Sequence, residues 1–338
     1  MTEDRFELGG AAVRPGERGL ARLPVTGTLH GGTVDVAVHI VRGARPGPTL
    51  GLLAGVHGDE ILPLQVFREL LAEVDPRSLG GTLLVVPVAN PLALAAFQRE
   101  TPELHINTDL HQVFPGSATG TLTQMIAWTL SQQVLNRVDA LIDFHAGGVG
   151  GRLQNRVDFH LDVQGALRER CVALCRAVGS GAIQENNLAR SAVAYVTGRG
   201  VPGINIEIGG AYLPRALAGE FARRIKRGVR NVMGHLGMLD GVSPPTKPQL
   251  LFGPKQRVEV NPKTGGYLHA EYGELEHLGW RIPAGTSLGT VFDCHTLAEV
   301  ERLVAPVEGI LFFNRHSGVL EAGSKGFALA QIEGATWV

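Results

Sequence analysis

Hydrophobic and polar residues follow two periods along this chain, one typical of strands and one typical of helices. Strands are predicted where apolar residues are contiguous or occupy every second position, at 33–41, 49–54, 82–88, 136–144 and 203–208. Helices are predicted where apolar residues recur every three or four positions, at 61–71, 120–135, 164–178 and 214–233. Strands that alternate with helices predict an α/β domain with a largely parallel or mixed sheet.

The pattern changes near residue 240. Prolines and glycine at 241–248 predict a linker, and short apolar runs separated by glycine turns follow it. The strands predicted in this part are 257–260, 266–270, 287–292 and 309–313. We therefore expect an α/β domain at 1–240, whose residues 1–30 form a loose or strand-like lead-in, and a small all-β domain at 250–338.

Composition narrows the class of protein. The 338 residues carry a formal net charge of −1, which gives no reason to expect nucleic acid or an anionic membrane as partner. Three cysteines, an odd number, argue against a disulfide framework. The N-terminus is polar and charged, and no apolar stretch reaches membrane-spanning length. These features predict a soluble, cytoplasmic protein.

The motif His57-Gly58-Asp59-Glu60 lies between the apolar run 49–54 and the predicted helix 61–71. His57 and Glu60 would therefore share a strand-to-helix turn, where both side chains can point at one ion. His145 follows the predicted strand 136–144, and sites in open α/β sheets form outside the carboxyl ends of strands. Two imidazoles and one carboxylate are a ligand set of catalytic zinc, which keeps a fourth position open for water.

Other interpretations of these residues remain open at this point. An HxxE sequence is common by chance, and a single histidine such as His145 is often a hydrogen-bonded core residue. His160 repeats the Asp-Phe-His triplet and competes with His145 for the third ligand position. We rank His145 first because a longer apolar run precedes it and glycines follow it, and glycine lets backbone and substrate approach closely.

Glu207 and Arg99 are candidates for the chemistry itself. Glu207 lies on a short apolar strand, where a carboxylate is costly unless it has a partner, and it could act as a general base and then acid. The alternative is a rim carboxylate paired with Arg199. Arg99 could stabilise the oxyanion that develops when an amide carbonyl is attacked. The alternative for Arg99 is a solvated surface arginine.

Five motifs, in order, resemble the succinylglutamate desuccinylase/aspartoacylase family of the wider zinc-carboxypeptidase-like group. They are His57-Gly58-Asp59-Glu60, Asn90-Pro91, Asp109-Leu110 followed by Val113-Phe114-Pro115-Gly116, Asp143-x-His145, and Glu207-x-Gly209-Gly210. The resemblance covers roughly residues 20–235, and the C-terminal part also resembles the β domain of family members. It implies a zinc-carboxypeptidase-like mixed sheet flanked by helices.

The resemblance also implies roles for single residues. His57, Glu60 and His145 match the ligands of one zinc ion per chain, and Glu207 matches the general base. Arg99 matches the arginine that polarises the scissile carbonyl. Asp143 is expected to orient a ligand histidine, because metal-bound imidazoles usually donate their other N–H to such a group.

One departure from the family pattern concerns the substrate. The family has Asn-Arg after Asp-Leu, and these two residues usually grip a substrate carboxylate, whereas this chain has His111 and Gln112. Glutamine cannot replace the planar, permanently charged clamp of arginine. Either the substrate lacks a carboxylate there, or another residue supplies the charge, with Arg152, Arg156 and Arg199 as candidates. His111 could donate one hydrogen bond, and its charge would vary near neutral pH.

The sequence thus predicts a zinc-dependent deacylase or amidohydrolase that cleaves the amide bond of a small N-acyl compound. An esterase or carboxypeptidase-type hydrolase would use the same site, and a catalytically inactive zinc-fold binding protein is the alternative from another class. The expected partner is the small substrate, and assembly into a homo-oligomer stays open. The C-terminal domain resembles a biotinyl/lipoyl-type barrel without a convincing carrier-lysine motif, so we expect it to be structural or oligomer-forming.

Overall fold

Strands and helices alternate through most of the computed structural model, which describes residues 4–28, 31–104, 106, 108–149, 152–242 and 245–338. The helices are α1 (Leu62–Glu73), α2 (Pro91–Ala96), α3 (Leu122–Gln133), α4 (Gly165–Val178), α5 (Ala192–Thr197) and α6 (Arg215–His235). The strands are β1 (Phe6–Leu8), β2 (Ala11–Val13), β3 (Arg18–Gly27), β4 (Thr33–Arg42), β5 (Arg45–Ala54), β6 (Gly80–Val86), β7 (Ala140–His145), β8 (Arg152–His160), β9 (Ala182–Asn186), β10 (Gly203–Gly209), β11 (Leu250–Phe252), β12 (Arg257–Val260), β13 (Gly266–Ala270), β14 (Arg281–Ile282), β15 (Ser287–Phe292), β16 (Glu299–Val304), β17 (Gly309–Arg315), β18 (Gly318–Leu320), β19 (Phe327–Gln331) and β20 (Thr336–Trp337).

One large mixed sheet organises the fold. Its main path runs in the order β12-β19-β17-β8-β10-β7-β5-β6-β4-β3. The four central strands β10, β7, β5 and β6 are parallel neighbours. The strands that flank them, β8 and β17 on one side and β4 and β3 on the other, are antiparallel. The predicted fold class, a mixed sheet flanked by helices with additional β structure at the C-terminus, is confirmed.

Helices cover both faces of this sheet because its central strands are apolar on both faces. One buried cluster joins Leu52 and Ile142 to residues of α1, α4 and α6. A second cluster joins Leu53 and Leu141 to residues of α3 and α5. Neighbouring residues of one strand thus belong to opposite cores, as the period of two requires.

The strand before His145 is shorter than predicted. Residues Leu135–Arg137 form a 3-10 turn, so β7 begins at Ala140 rather than at 136. The helix at 120–135 is confirmed as α3, which begins after Thr121. The hydroxyl of Thr121 accepts a hydrogen bond from Gln124 N, and the side-chain oxygen of Gln124 accepts one from Thr121 N.

Strand β8 was not predicted as a strand. Its sequence, Arg-Leu-Gln-Asn-Arg-Val-Asp-Phe-His, has no apolar run at its start, yet it pairs with β10, β17 and β9. The apolar pattern of this segment is therefore too weak to reveal the strand that leads to His160. Nδ1 of His160 accepts a hydrogen bond from Leu188 N at 3.2 Å, and this histidine does not line the cavity described below.

The C-terminal part continues the large sheet through β17, which pairs with β8, and adds a four-stranded sheet in the order β16-β15-β13-β18. Apolar residues of both parts, such as Phe144 and Phe327, belong to the same buried cluster. The division into domains at 1–240 and 250–338 stays a prediction. Residues 1–3, 29 and 30 of the predicted lead-in, and 243–244 of the predicted linker, lie outside the described residues. Among the described helices, none is long and apolar enough to cross a membrane.

We expect Phe67→Ala to lower the free energy of unfolding by about 3–5 kcal/mol, because it leaves a cavity beneath the sheet. Phe67 is 1 % exposed on α1, and its ring meets that of Phe144 edge to face at 4.9 Å. Denaturant unfolding would measure the loss. Val319→Ala, at a side chain that is 77 % exposed, is the matched control and should change stability by less than about 0.5 kcal/mol. Equal effects of the two substitutions would contradict this account of the core.

Candidate active site

His57, Glu60 and His145 meet in one buried group at the carboxyl ends of β5 and β7. Oε1 of Glu60 lies 2.9 Å from His57 Nδ1, and Oε2 lies 3.0 Å from His145 Nδ1. The two Nδ1 atoms are 3.2 Å apart. Each residue offers a ligand atom within 4.8 Å of the others, so this group could hold a metal ion.

Glycine 58 lets the turn that carries His57 and Glu60 pack against the loop that carries Arg99. A Cβ atom at this position would lie 2.0 Å from Ala93 C and 2.1 Å from Ala93 O. The Gly58 N–H donates to Gln98 O at 3.0 Å. The absence of a side chain at residue 58 is therefore a steric requirement of the motif.

The charges of the group favour a cation. Burial by itself would lower the pKa of His57 and His145, but Glu60 together with Asp109 and Asp143 outweighs it and raises both. Burial would raise the pKa of Glu60, but the two imidazoles hold it well below its usual range. The carboxylates therefore stabilise positive charge between these side chains, and a divalent cation meets that demand by displacing the protons. The donor set of two imidazole nitrogens and a carboxylate suits zinc.

Asp109 connects the ligand group to Arg99. Its Oδ1 lies 3.1 Å from His57 Nε2, and its Oδ2 accepts from Arg99 Nη2 at 3.2 Å. Arg99 Nη1 also lies 3.6 Å from Glu60 Oε1. Burial opposes the ionised form of Asp109, but these contacts lower its pKa. Asp109 belongs to one of the sequence motifs, but local pattern gives it no role, because its partners come from two other segments.

Asp143 and His111 lie on the far side of His145. Oδ2 of Asp143 is 3.3 Å from His145 Nε2, and the rings of His111 and His145 meet edge to face at 4.8 Å. Together the three residues form a second group with ligand atoms within 4.8 Å, which shares His145 with the first. Burial, with His145 adding to it, lowers the pKa of His111 to about 3. At this pKa the imidazole of His111 stays neutral near pH 7, in contrast to the expectation that its charge varies there.

Glu207 lies beside His145 because β10 and β7 are parallel and pair these two residues directly. On its other side β8 supplies Gln154, whose Nε2 donates to Glu207 Oε2 at 2.7 Å, and Arg156, whose Nη2 lies 3.5 Å from Oε1. Burial raises the pKa of Glu207, although Arg156 acts to lower it. Glu207 is thus paired, but with Arg156 rather than with Arg199.

A cavity of about 420 Å³ opens onto these side chains. It is lined by His57, Glu60, His145, Arg99, His111 and Glu207, which the sequence analysis singled out. The C-terminal part adds cationic side chains that the sequence analysis missed, namely Arg257, Arg315 and Lys325. No local pattern marks these residues, because they reach the cavity through the pairing of β17 with β8.

Two predicted substrate contacts are not brought to this cavity. Gln112 is exposed at the end of the 3-10 turn Leu110–Gln112 and is not among the cavity-lining residues. Arg199 follows α5, and Nη1 donates to the Tyr195 hydroxyl at 3.3 Å while its guanidinium lies 5.6 Å from that ring. Arg199 precedes β10 and Glu207 is near its carboxyl end, so the strand separates them.

Residues 46–236 match the model of the succinylglutamate desuccinylase/aspartoacylase catalytic domain. A similar protein is the N-alpha-acetyl-L-2,4-diaminobutyric acid deacetylase of Halomonas elongata, which is 26% identical over 336 residues, 94% of this chain and 92% of the relative.

Two solved structures share the fold. The succinylglutamate desuccinylase/aspartoacylase of Rhodobacter sphaeroides has a TM-score of 0.79 at 23% identity, covering 94% of this chain and 95% of the other. The product-bound ectoine utilization protein of Ruegeria pomeroyi has a TM-score of 0.79 at 24% identity, covering 93% and 95%.

We expect Gly58→Ala to weaken metal binding by about tenfold or more, because the added methyl group must displace the Ala93 backbone and with it the turn that carries two ligands. Unfolding free energy should fall by about 1–3 kcal/mol from the same overpacking. Competition with a chelating dye measures the affinity. Gly219→Ala, in α6 with its nearest contact at 3.4 Å, is the control: it should leave metal affinity unchanged and raise the unfolding free energy by about 0.5–1 kcal/mol, because alanine favours a helix interior. Unchanged metal affinity in Gly58→Ala would show that the turn tolerates the shift.

Proposed function

This chain belongs to the succinylglutamate desuccinylase/aspartoacylase family, and we propose that it is a zinc-dependent deacylase that hydrolyses the amide bond of a small N-acyl amino compound. The observation that carries the proposal is the joint lining of one cavity by the His57–Glu60–His145 group, Glu207 and Arg99. The named deacetylation by the Halomonas elongata relative supports the amide bond as the target.

His57, Glu60 and His145 would hold the zinc ion. Bound there, zinc would polarise a carbonyl and lower the pKa of water. Nδ1 of His145 faces Glu60, and Nε2 faces Asp143, so Asp143 can keep the ring oriented as a ligand. Asp109 does the same for His57 through Nε2.

Glu207 would act as the general base and then the general acid. Its carboxylate would take a proton from the attacking water and return it to the nitrogen as the C–N bond breaks. A pKa raised by burial suits both steps, because the group accepts a proton readily and still releases it. Gln154, which also donates to Ala146 O at 3.3 Å, holds Glu207 in place beside the loop after His145.

Arg99 would stabilise the oxyanion that forms on the attacked carbonyl. Asp109 and Glu60 fix its position, yet 47% of its side chain is exposed and can face the substrate. A preorganised guanidinium needs little reorganisation when charge develops, which is the source of its catalytic effect. His111, neutral and half-buried against His145, would contribute shape rather than charge to this end of the cavity.

We further propose a location for the protein in the cell and a division of the chain into two domains. The protein would act in the cytoplasm, consistent with the free thiols of Cys171, Cys175 and Cys294. The region 250–338 would form a separate domain on 1–240 that closes one side of the cavity, since Arg257, Arg315 and Lys325 line it.

Removal of the metal with a chelator should abolish hydrolysis of N-acyl amino acids, and added zinc should restore it. Glu207→Gln should keep one metal per chain and lose about 100- to 10,000-fold in kcat, because the proton carrier is gone and the ligands remain. Elemental analysis and an amine-release assay measure the two quantities. The control is Glu220→Gln, an exposed carboxylate on α6 that pairs with Arg224.

Full activity in metal-free protein would rule out the zinc mechanism. A protein that binds one zinc ion and hydrolyses no N-acyl compound would instead favour the binding role.

The acidic limb of the kcat/KM profile should lie above the ordinary carboxyl pKa, because Glu207 must be ionised to accept a proton and burial raises its pKa. Arg156 counteracts that rise, so Arg156→Gln should move the limb to higher pH. Arg281→Gln, an exposed arginine paired with Glu308, should leave the limb in place. A limb that stays or moves to lower pH in Arg156→Gln would contradict the role of Glu207 as the base.

A further inference from the structure

We propose that Arg152 and Arg315 together bind a carboxylate of the substrate in the active-site cavity. This inference rests on the function proposed above and adds the substrate class, an N-acyl compound that carries a carboxylate. Both residues line the same cavity as His57 and Glu207. They would replace the arginine clamp of the family pattern, which this chain lacks at Gln112.

Most of the positive charge in the cavity is already neutralised. Six arginine and lysine side chains line it, and four have a carboxylate partner: Arg99 with Asp109, Arg156 with Asp158, and Arg257 and Lys325 with Glu259. Within the described part of the chain, neither Arg152 nor Arg315 forms an ion pair. Arg315 Nε donates to the Lys325 carbonyl at 3.0 Å, which fixes its side chain without neutralising it.

The two unneutralised arginines face each other across a strand pair. β8 and β17 are antiparallel, and Arg152 is paired directly with Arg315. Like charges directly opposite each other destabilise an antiparallel pair, and their Cβ atoms are about 4.5–5.5 Å apart. Two arginines whose Cβ atoms are this close can contact the same carboxylate. Arginine suits this role because its N–H donors match the geometry of a carboxylate.

The surroundings of Arg315 differ from those of a structural arginine. Burial and then the charge of Arg152 lower the pKa of Arg315. For Arg156, burial acts in the same direction, but Asp158 and Glu207 outweigh it and raise the pKa. Arg315 is thus a partly buried cation whose compensating anion is missing from the described residues.

The pair lies within the length of a small molecule from the proposed base. Arg152, Gln154 and Arg156 occupy alternate positions of β8 and so project from one face. Gln154 and Arg156 contact Glu207 at 2.7 and 3.5 Å, and the Cα of Arg152 is about 7 Å beyond that of Gln154. A substrate whose amide meets Glu207 can therefore place a carboxylate between Arg152 and Arg315.

The same contacts decide among the three arginines considered from the sequence. Arg156 is engaged by Asp158, Gln154 and Glu207, and Arg199 lies against Tyr195 outside the cavity. Arg152 is left as the candidate, and Arg315 is its partner from the C-terminal part. The carboxylate clamp would therefore come from two strands that are distant in sequence, rather than from one local motif.

The test compares matched probes that differ by one carboxylate. N-acetyl-L-alanine and its carboxamide differ on the amine side, whereas N-succinyl-L-alaninamide and N-butanoyl-L-alaninamide differ on the acyl side. Dissociation constants are measured by calorimetry on the full-length, zinc-loaded chain with Glu207→Gln, so that the probes are not hydrolysed. The same measurement is repeated with Arg152→Gln, Arg315→Gln and, as the control, Arg281→Gln.

We expect one of the two pairs to favour the carboxylate by about 10- to 100-fold, which is the range for a charge-assisted hydrogen bond. Arg152→Gln and Arg315→Gln should each reduce that preference at least about fivefold, and Arg315→Lys should restore part of it because it keeps the charge. Arg281→Gln should leave it unchanged. The responding pair identifies the side of the amide that carries the anion.

Equal affinity for the charged and neutral members of both pairs would overturn the proposal, and so would a preference that survives both substitutions. Turnover by the wild-type enzyme separates this result from the proposed function. Hydrolysis of neutral probes as fast as acidic ones would overturn the carboxylate site and leave the hydrolase standing. A binding preference that depends on Arg152 and Arg315, without turnover of any probe, would support the carboxylate site and contradict the hydrolase.

Discussion

The buried carboxylate of Glu60 is the contact on which the rest of the site depends. It is 6% exposed, and it meets His57 at 2.9 Å, His145 at 3.0 Å and the Ala146 N–H at 3.1 Å. An ionised group at this depth is costly unless it is fully paired. Its partners come from the turn after β5 and the end of β7, so its pairing requires these two strands to be parallel neighbours. The same pairing requirement therefore constrains both the strand order and the group that could hold a metal ion.

Parallel and antiparallel strands of the sheet contribute different side chains to the site. The parallel strands β5, β7 and β10 end at one edge and lead to the three candidate metal ligands and Glu207, while the antiparallel β8 and β17 border the cavity with arginines. The central strands must be apolar on both faces because helices cover them. β8 carries polar residues at Gln154 and Arg156 because one of its faces lines the cavity instead. This explains why β8, which lines the cavity with two arginines, has a weak hydrophobic pattern.

The charges also form a graded series across the cavity. At one end, Glu60, Asp109 and Asp143 surround the imidazoles and stabilise a cation, and Asp109 links that group to Arg99. In the middle, burial keeps Glu207 easy to protonate while Arg156 keeps it ionisable. At the other end, Arg152 and Arg315 lack a carboxylate among the described residues. The substrate proposed above, an N-acyl compound with a carboxylate, would fit this series with its carbonyl at the first end and its anion at the other.

Local pattern alone determined the core strands, the long helices and the metal motif. Periodicity predicted α4 and α6, and the turn with His57 and Glu60 was evident because both ligands lie within four residues. Tertiary structure decided which distant charges meet. The 3-10 turn leaves Gln112 exposed, burial keeps His111 neutral, and strand pairing sets Arg315 opposite Arg152. The physical reason is that periodicity records which face a segment buries, whereas burial, register and charge pairing depend on residues far away in the chain.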